Sequence, residues 1–560
     1  MFNIRKIILI AIFAMIIPLH YLSAQKVNST TQASVQADRP KLVVGIVIDQ
    51  MRYDYLFKYW KKYLDTGFKR LVNDGFLLKD ANYNYVPTYT GPGHACIYSG
   101  TTPSVNGIVS NDWYDRALRK EVYCVEDTAF SPVGTTSNSS RASPNRLLST
   151  TVTDELKLAT NFQSKVIGIA LKDRGAVLPA GHTANAAYWF DKETANWVTS
   201  TYYMKELPKW VQDFNNRKYA DELLKQKWTT ALPIDQYTES TADNVKYEGL
   251  YSGETQPTFP HDLPAIKLKD KDLLKKVPMG NTFTKDFAEA ALIGEQLGKG
   301  NATDFLAVSF SSTDYIGHQF GINSIEIEDT YIRLDHDLSE FLDYLEKWIG
   351  QSNYILFLTA DHGAANNVVF NTDEKIPAGF FDSKRIDSLL ENYLHSLYAG
   401  GGEYVSELSG HGIYLDHTLI DQKKINLDEI QNKCADFLLK MNGVSEAFTA
   451  GELKKGCTRE GIQSLIQRGF NWKRSPDVIL LLDPAWMEGI AKTGTTHGAA
   501  YSYDTHVPLL FFGKNIPHGS SVEPVSISDV APTISTLLNI EFPSGNSGKP
   551  ISSLMNLIYK

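Results

Sequence analysis

Cysteine is scarce in this chain of 560 residues: Cys96, Cys124, Cys434 and Cys457 are too few and too scattered for a disulfide framework, and no two form a Cys-x-x-Cys pair. Cys434 and Cys457 could bridge in an oxidising compartment, or all four could be buried thiols; the sequence leaves both open. A basic excess is also lacking. With 55 Lys and Arg against 64 Asp and Glu the net charge is -9, which argues against a nucleic-acid duplex as partner. Internal repeats and low-complexity tracts are missing, so solenoids and disordered arrays are set aside.

Long apolar runs are absent save one near the start. Arg5 and Lys6 precede Ile7 to Ile17, eleven apolar residues ended by Pro18, short of the roughly 20 that span a bilayer. Leu22-Ser23-Ala24 follows with small residues suited to a signal peptidase. Residues 1–24 are therefore expected to be a signal peptide cleaved after Ala24, with the product periplasmic or secreted. Cleavage would remove two positive charges, leaving -11, and no membrane span.

What remains is an ordinary globular composition, 43% hydrophobic and 21% charged. After a polar stretch over 25–40, Lys41 to Ile48 reads as a strand buried on both faces. Residues 53 to 74 carry apolar positions at helical spacing, closed by Gly75. Lys165 to Leu171, Phe305 to Phe310 and Tyr354 to Leu358 repeat the short-strand pattern, with helices predicted over 147–159, 284–297 and 329–349. The alternation predicts a layered α/β fold: a central, mostly parallel sheet flanked by helices. Over 371–474 the pattern loosens, around Gly400 to Gly402 and a helix near 427–441, and is expected to be an inserted subdomain. Val478 to Leu482, Val507 to Phe512 and a helix near 528–538 are expected to return to the core. The main domain would thus comprise 41–370 and 475–560.

In such sheets ligands sit beyond the carboxyl ends of the strands. There the sequence places Asp49, in Ile48-Asp49-Gln50; Asp314 and His318, in Asp314-Tyr-Ile-Gly-His318; Asp361 and His362, in Thr359-Ala-Asp361-His362-Gly363; and His497, in Gly494-Thr-Thr-His497-Gly498. Three carboxylates and three imidazoles suit zinc, which takes oxygen and nitrogen ligands. Singly, each motif reads more readily as a helix cap or a hydrogen-bonded core histidine; together they point to a metal. His336, in an acidic helical run, and His411 and His417, in the expected insertion, are set aside. Thr90, followed by Gly91-Pro92-Gly93, puts a hydroxyl at a helix N-terminus, where backbone N–H groups face an anion; alone it could equally be a cap.

From Lys41 onward these motifs resemble the alkaline phosphatase superfamily, specifically its threonine-nucleophile, PafA-type bacterial phosphatases, relatives of the nucleotide pyrophosphatase/phosphodiesterases. The resemblance implies an alkaline-phosphatase-like fold and two zinc ions. Asp49, Thr90, Asp361 and His362 would hold one, and Asp314, His318 and His497 the other. It implies Thr90 as nucleophile, passing through a phosphothreonine, and Asn111, Lys172 and Arg174 as contacts to the phosphoryl oxygens. Lys172 and Arg174 stand at i and i+2 past a buried strand, so on an extended backbone both would point the same way.

Charge selects the substrate. Two Zn²⁺ against three aspartates and a Thr90 alkoxide sum to zero. A monoester dianion gains more from two added cations than a diester monoanion does. Small phosphate monoesters are the expected substrates. The alternatives are a phosphodiesterase or nucleotide pyrophosphatase on the same scaffold and an exported, noncatalytic binding protein. A sulfatase is disfavoured, because the Thr90 segment lacks the Cys or Ser, and the Arg, of a formylglycine motif. Oligomeric state is left open.

Overall fold

The computed structural model describes residues 39–559 apart from 399, 410 and 457–460. The expected signal peptide and most of the polar segment after it lie outside the described residues. Leu42–Ile48 forms the axis, with all seven residues buried. It pairs in parallel with Tyr354–Thr359 on one side and Asp304–Phe310 on the other, setting Ile46 beside Leu358 and Val308. Val166–Ala170 and Ala186–Asp191 continue the parallel order. Leu509–Gly513 pairs antiparallel with Tyr354–Thr359. The sheet runs on to Phe76–Asn82 and Gly519–Ser526 at that edge, and to Asn196–Ser200 and Pro132–Val133 at the other. The predicted α/β layering is present, and five adjacent parallel strands deliver their carboxyl ends to one rim.

Helices cover the sheet. Ile325–Ile349 begins at Ser324, whose side chain accepts from the Ile327 N–H, and ends at Gly350. Its inner stripe includes Tyr331, Leu334, Leu338, Phe341, Leu342 and Leu345, all fully buried, each contributing about 1.5–3 kcal/mol by leaving water. The helix predicted over 53–74 is instead broken into Tyr55–Lys58, a short turn at Trp60–Lys62, and Phe68–Asp74. The cause is tertiary: the buried Asp335 carboxylate accepts the N–H groups of both Leu64 and Phe68 at 2.6 Å, which a continuous helix would have used itself. The helix predicted from 147 starts only at Val152, after a capping box between Thr151 and Asp154.

A second sheet orders Val405–Ser409, Gly412–Leu415, Val478–Leu482 and Val444–Thr449. Helices Ser383–Leu397 and Leu427–Leu438 close its own core around Leu390, Leu394, Ile413, Ile430 and Val478. Val478–Leu482, expected to rejoin the main sheet, belongs here, because Gly412–Leu415 and Val444–Thr449 flank it on both sides. Its apolar run fits either sheet, and only pairing partners decide. Cys96, Cys124 and Cys434 are buried free thiols, and Cys457 lies outside the described residues.

Candidate active site

Strand ends and the turns after them bring the predicted residues together. Asp49 follows Leu42–Ile48, its N–H donating to the Phe310 carbonyl at 3.0 Å. Asp314 and His318 lie on the helix Ser312–Phe320, and one helical turn sets His318 Nε2 3.1 Å from Asp314 Oδ1. Asp361 and His362 follow Tyr354–Thr359 directly. His362 Nε2 is 3.5 Å from both Asp49 Oδ1 and Asp361 Oδ2. His497 Nε2 lies 3.6 Å from Asp314 Oδ1, and its ring stacks on His362 at 3.4 Å between centroids. Each histidine is anchored by its other nitrogen: Nδ1 of His318, His362 and His497 meets the carbonyls of Thr495, Gly363 and Thr88 at 2.7–2.9 Å. All three Nε2 atoms are thereby aimed inward.

These atoms form two groups with mutually close donors, Asp49–Asp361–His362 and Asp314–His362–His497, each spanning no more than 4.8 Å. Within them Asp49 Oδ1 and Oδ2, Asp361 Oδ2 and His362 Nε2 are buried and make no hydrogen bond. Lys172 Nζ does sit 2.7 Å from Asp49 Oδ2, supplying charge without a hydrogen-bonding angle. Burial, and next the Asp361 charge, push the Asp49 carboxyl well above the usual carboxylate range. Burial likewise lowers the His362 imidazole to about 3, so it stays neutral with its lone pair free. A largely buried pocket of carboxylates and imidazoles with orphaned donor atoms fits divalent metal ions.

Thr90 opens the helix Thr90–Ser99 and is 1% exposed; Tyr89, not Thr90, occupies the capping position, and no side chain caps. Freed from that duty, Thr90 Oγ1 has Lys172 Nζ and Arg174 Nη2 each at 3.4 Å. The two cations do not share an extended strand as predicted. Lys172 stands at the position before the helix Asp173–Ala180 and Arg174 lies in its first turn, yet both reach the same oxygen. Arg174 Nη1 also donates to the Tyr123 hydroxyl at 3.0 Å, and Tyr123 donates to Asp173. Asn111 Oδ1 accepts the Gly91 N–H at 2.8 Å, beside Thr90.

Sequence reasoning missed three neighbours. Gln50 donates from Nε2 to Asp314 Oδ1 at 2.6 Å and from its backbone to Asp361 Oδ1 at 3.1 Å, fixing both carboxylates. His94 is fully buried, with Nδ1 2.8 Å from the Thr90 carbonyl and 3.5 Å from Asp361 Oδ2. Its place one helical turn after Thr90 was the available signal. His411, set aside earlier, packs its ring 5.1 Å from Tyr89, which in turn packs on His497. His417 pairs with Asp477 away from this cluster.

Gly93 shows how tight the helix entry is, since a Cβ there would lie 2.4 Å from the Asp361 carbonyl oxygen. Gly93→Ala is expected to lower activity at least tenfold and stability by about 1–3 kcal/mol through overpacking. Gly300→Ala, where a Cβ meets nothing within 4 Å, should change neither. Initial rates and thermal unfolding of the two variants check this.

Comparison with known proteins agrees in extent with the motifs. Residues 43–503 match the type I phosphodiesterase/nucleotide pyrophosphatase family. Alkaline phosphatase PafA of Elizabethkingia meningoseptica is 46% identical over 539 residues, covering 95% of this chain and 96% of the relative. A protein of Myroides odoratus named Calcium-transporting ATPase is 49% identical over 523 residues, covering 93% and 95%. The crystal structure of wild-type PafA superposes with a TM-score of 0.90 at 47% identity, covering 92% of this chain and 99% of that one.

Proposed function

The chain belongs to the type I phosphodiesterase/nucleotide pyrophosphatase family, and on that footing we propose that it is an alkaline phosphatase of the PafA type, hydrolysing phosphate monoesters to alcohol and inorganic phosphate. The carrying observation is the pair of cations, buried Lys172 and half-buried Arg174, converging on Thr90 Oγ1. A phosphate monoester dianion needs that fixed positive charge, and a diester monoanion needs less.

Two Zn²⁺ ions would be held by Asp49, Thr90, Asp361 and His362, and by Asp314, His318 and His497. When bound, they would supply Lewis-acid charge to the attacking Thr90 oxygen and to the leaving oxygen. Thr90 Oγ1 attacks phosphorus in line, the P–O bond to the leaving group breaks, a phosphothreonine forms, and the proton given up by Thr90 ends on the leaving oxygen, which departs as the alcohol. Lys172, Arg174 and Asn111 hold the non-bridging oxygens. Water then attacks from the vacated face, releasing phosphate and returning the Thr90 hydroxyl. Lys172 also lies 2.5 Å from Asp314 Oδ2. Burial opposes its charge, but Asp314 and Asp49 outweigh that and keep it protonated. Tyr123 and Asp173 hold Arg174 in place.

A transport role, suggested by the name of the Myroides odoratus relative, would need a path through a membrane, and no helix among the described residues is long and apolar enough to cross one. The reading includes export after cleavage following Ala24, with an inserted subdomain built on the second sheet, which takes in Val478–Leu482 beyond the expected 371–474.

The test compares an aryl phosphate with the matching diaryl phosphate. Wild type is expected to favour the monoester. Lys172→Ala with Arg174→Ala should cut monoester kcat/KM by roughly 10²–10⁴, since a hydrogen bond to a charged group is worth about 1.5–3 kcal/mol. Diester turnover should fall much less. Equal losses on both substrates would overturn the monoesterase assignment.

A further inference from the structure

The second sheet closes a cleft against the phosphoryl site. Just past Asn111 the chain forms a hairpin, Asp112–Asp115 with Lys120–Tyr123, in which Asp112 lies opposite Tyr123 and Tyr114 opposite Glu121. Alternate residues and their direct cross-strand partners point the same way, so Asp112, Tyr114, Glu121 and Tyr123 share one face. At one end of that face the Tyr123 hydroxyl accepts from Arg174. At the other the Tyr114 ring stands 5.7 Å from that of Tyr414, in the second sheet. Tyr414 is paired with Glu407, which sets a third carboxylate on the opposing face. Between the two faces lies a cavity of about 220 Å³, and Asn111, Tyr89, Tyr414, Asp112, Glu121 and Glu407 all line it.

The lining has one sign of charge. No lysine or arginine contributes to it among the described residues. Asp112, Glu121 and Glu407 form no ion pair among the described residues. Burial, then the Glu121 and Asp112 charges, push the Glu407 carboxyl up. Past Glu488 and His411 the cleft continues into a smaller cavity that also touches Tyr89 and His497. In the proposed reaction the alcohol leaves on the side of Asp314, His318 and His497, so this passage receives it. We propose that the cleft is the leaving-group subsite and selects phosphate monoesters of small alcohols that carry an ammonium group. Two tyrosine rings and the carboxylates suit a cation, whereas an alcohol bearing a second anionic group meets repulsion. The volume is below the roughly 300–1,000 Å³ of pockets for drug-sized ligands, so a small alcohol fills it. The inference rests on the phosphatase reading and adds the substrate class.

The test measures kcat/KM for aminoethyl phosphate and for propyl phosphate, its uncharged counterpart of like size, on the zinc-loaded full-length protein, with an aryl phosphate as reference. The ratio between the first two removes effects common to both. In the double variant Glu121→Gln with Glu407→Gln, that ratio should fall roughly fivefold to twentyfold through a higher KM for aminoethyl phosphate. Propyl phosphate turnover should stay within twofold of wild type. Added NaCl should shrink the wild-type ratio and leave the variant's nearly flat. Glu121→Gln alone, at an exposed position, serves if the pair fails to fold, with a smaller fall in the same direction. An unchanged ratio in the variant, or equal losses on both esters, would sink the subsite. No turnover of any of the three, the aryl phosphate included, would strike the phosphatase reading and the subsite with it.

Discussion

Replacing Thr90 by Ala is expected to reduce kcat by roughly 10³–10⁶, the range seen when a covalent nucleophile is removed and only binding and electrostatics remain. The structure separates this from a folding effect. Thr90 Oγ1 does not cap its helix, and its polar neighbours are Lys172 and Arg174. Thr90→Ala should therefore unfold within a degree or two of wild type. Acid quenching with labelled aryl phosphate should trap label on Thr90 in the wild type and none in the variant, while Thr90→Ser should keep both label and partial turnover. A labelled Ala variant would remove Thr90 from the covalent step.

Local pattern revealed different parts of this molecule to different degrees. Strands buried on both faces announce themselves, since continuous runs such as Leu42–Ile48 have one common use in an α/β sheet, and an acid at such a run's end is visible too. Invisible were choices made by distant partners. Asp335 breaks the helix expected after residue 53 by capturing two N–H groups more than 260 positions away. Val478–Leu482 takes its place from flanking strands in another sheet. The convergence of Lys172 and Arg174 was anticipated for the wrong backbone: a helix start, not an extended segment, aims them. Gln50 carried no signal of its own, because an amide beside an aspartate becomes informative only once Asp314 and Asp361 are seen on either side. His411 was set aside for lying in the expected insertion, yet that segment folds back onto Tyr89.

The second large effect concerns the metal. Asp49 is fully buried, its two oxygens lack hydrogen bonds, and Asp361 is its neighbour in one of the two donor groups. Because burial and Asp361 raise its pKa in the folded, metal-free chain, the ionised carboxylate is destabilising above the ordinary range near 3.9, where the unfolded state has already lost the proton. A bound cation reverses that sign, since the charge becomes a ligand. Chelation should therefore abolish turnover and lower the unfolding temperature by several degrees, both restored by zinc. Asp49→Asn should cross over: at neutral pH it is expected to unfold at or above the wild-type temperature when both are metal-free, and below it when both are given zinc. With zinc supplied to both, its activity should be at least 10³-fold below wild type, as for loss of a group acting only within an assembled site. A variant less stable than wild type without metal would mean that the Lys172 contact at 2.7 Å outweighs burial, and that Asp49 is held by an ion pair with no need of a cation.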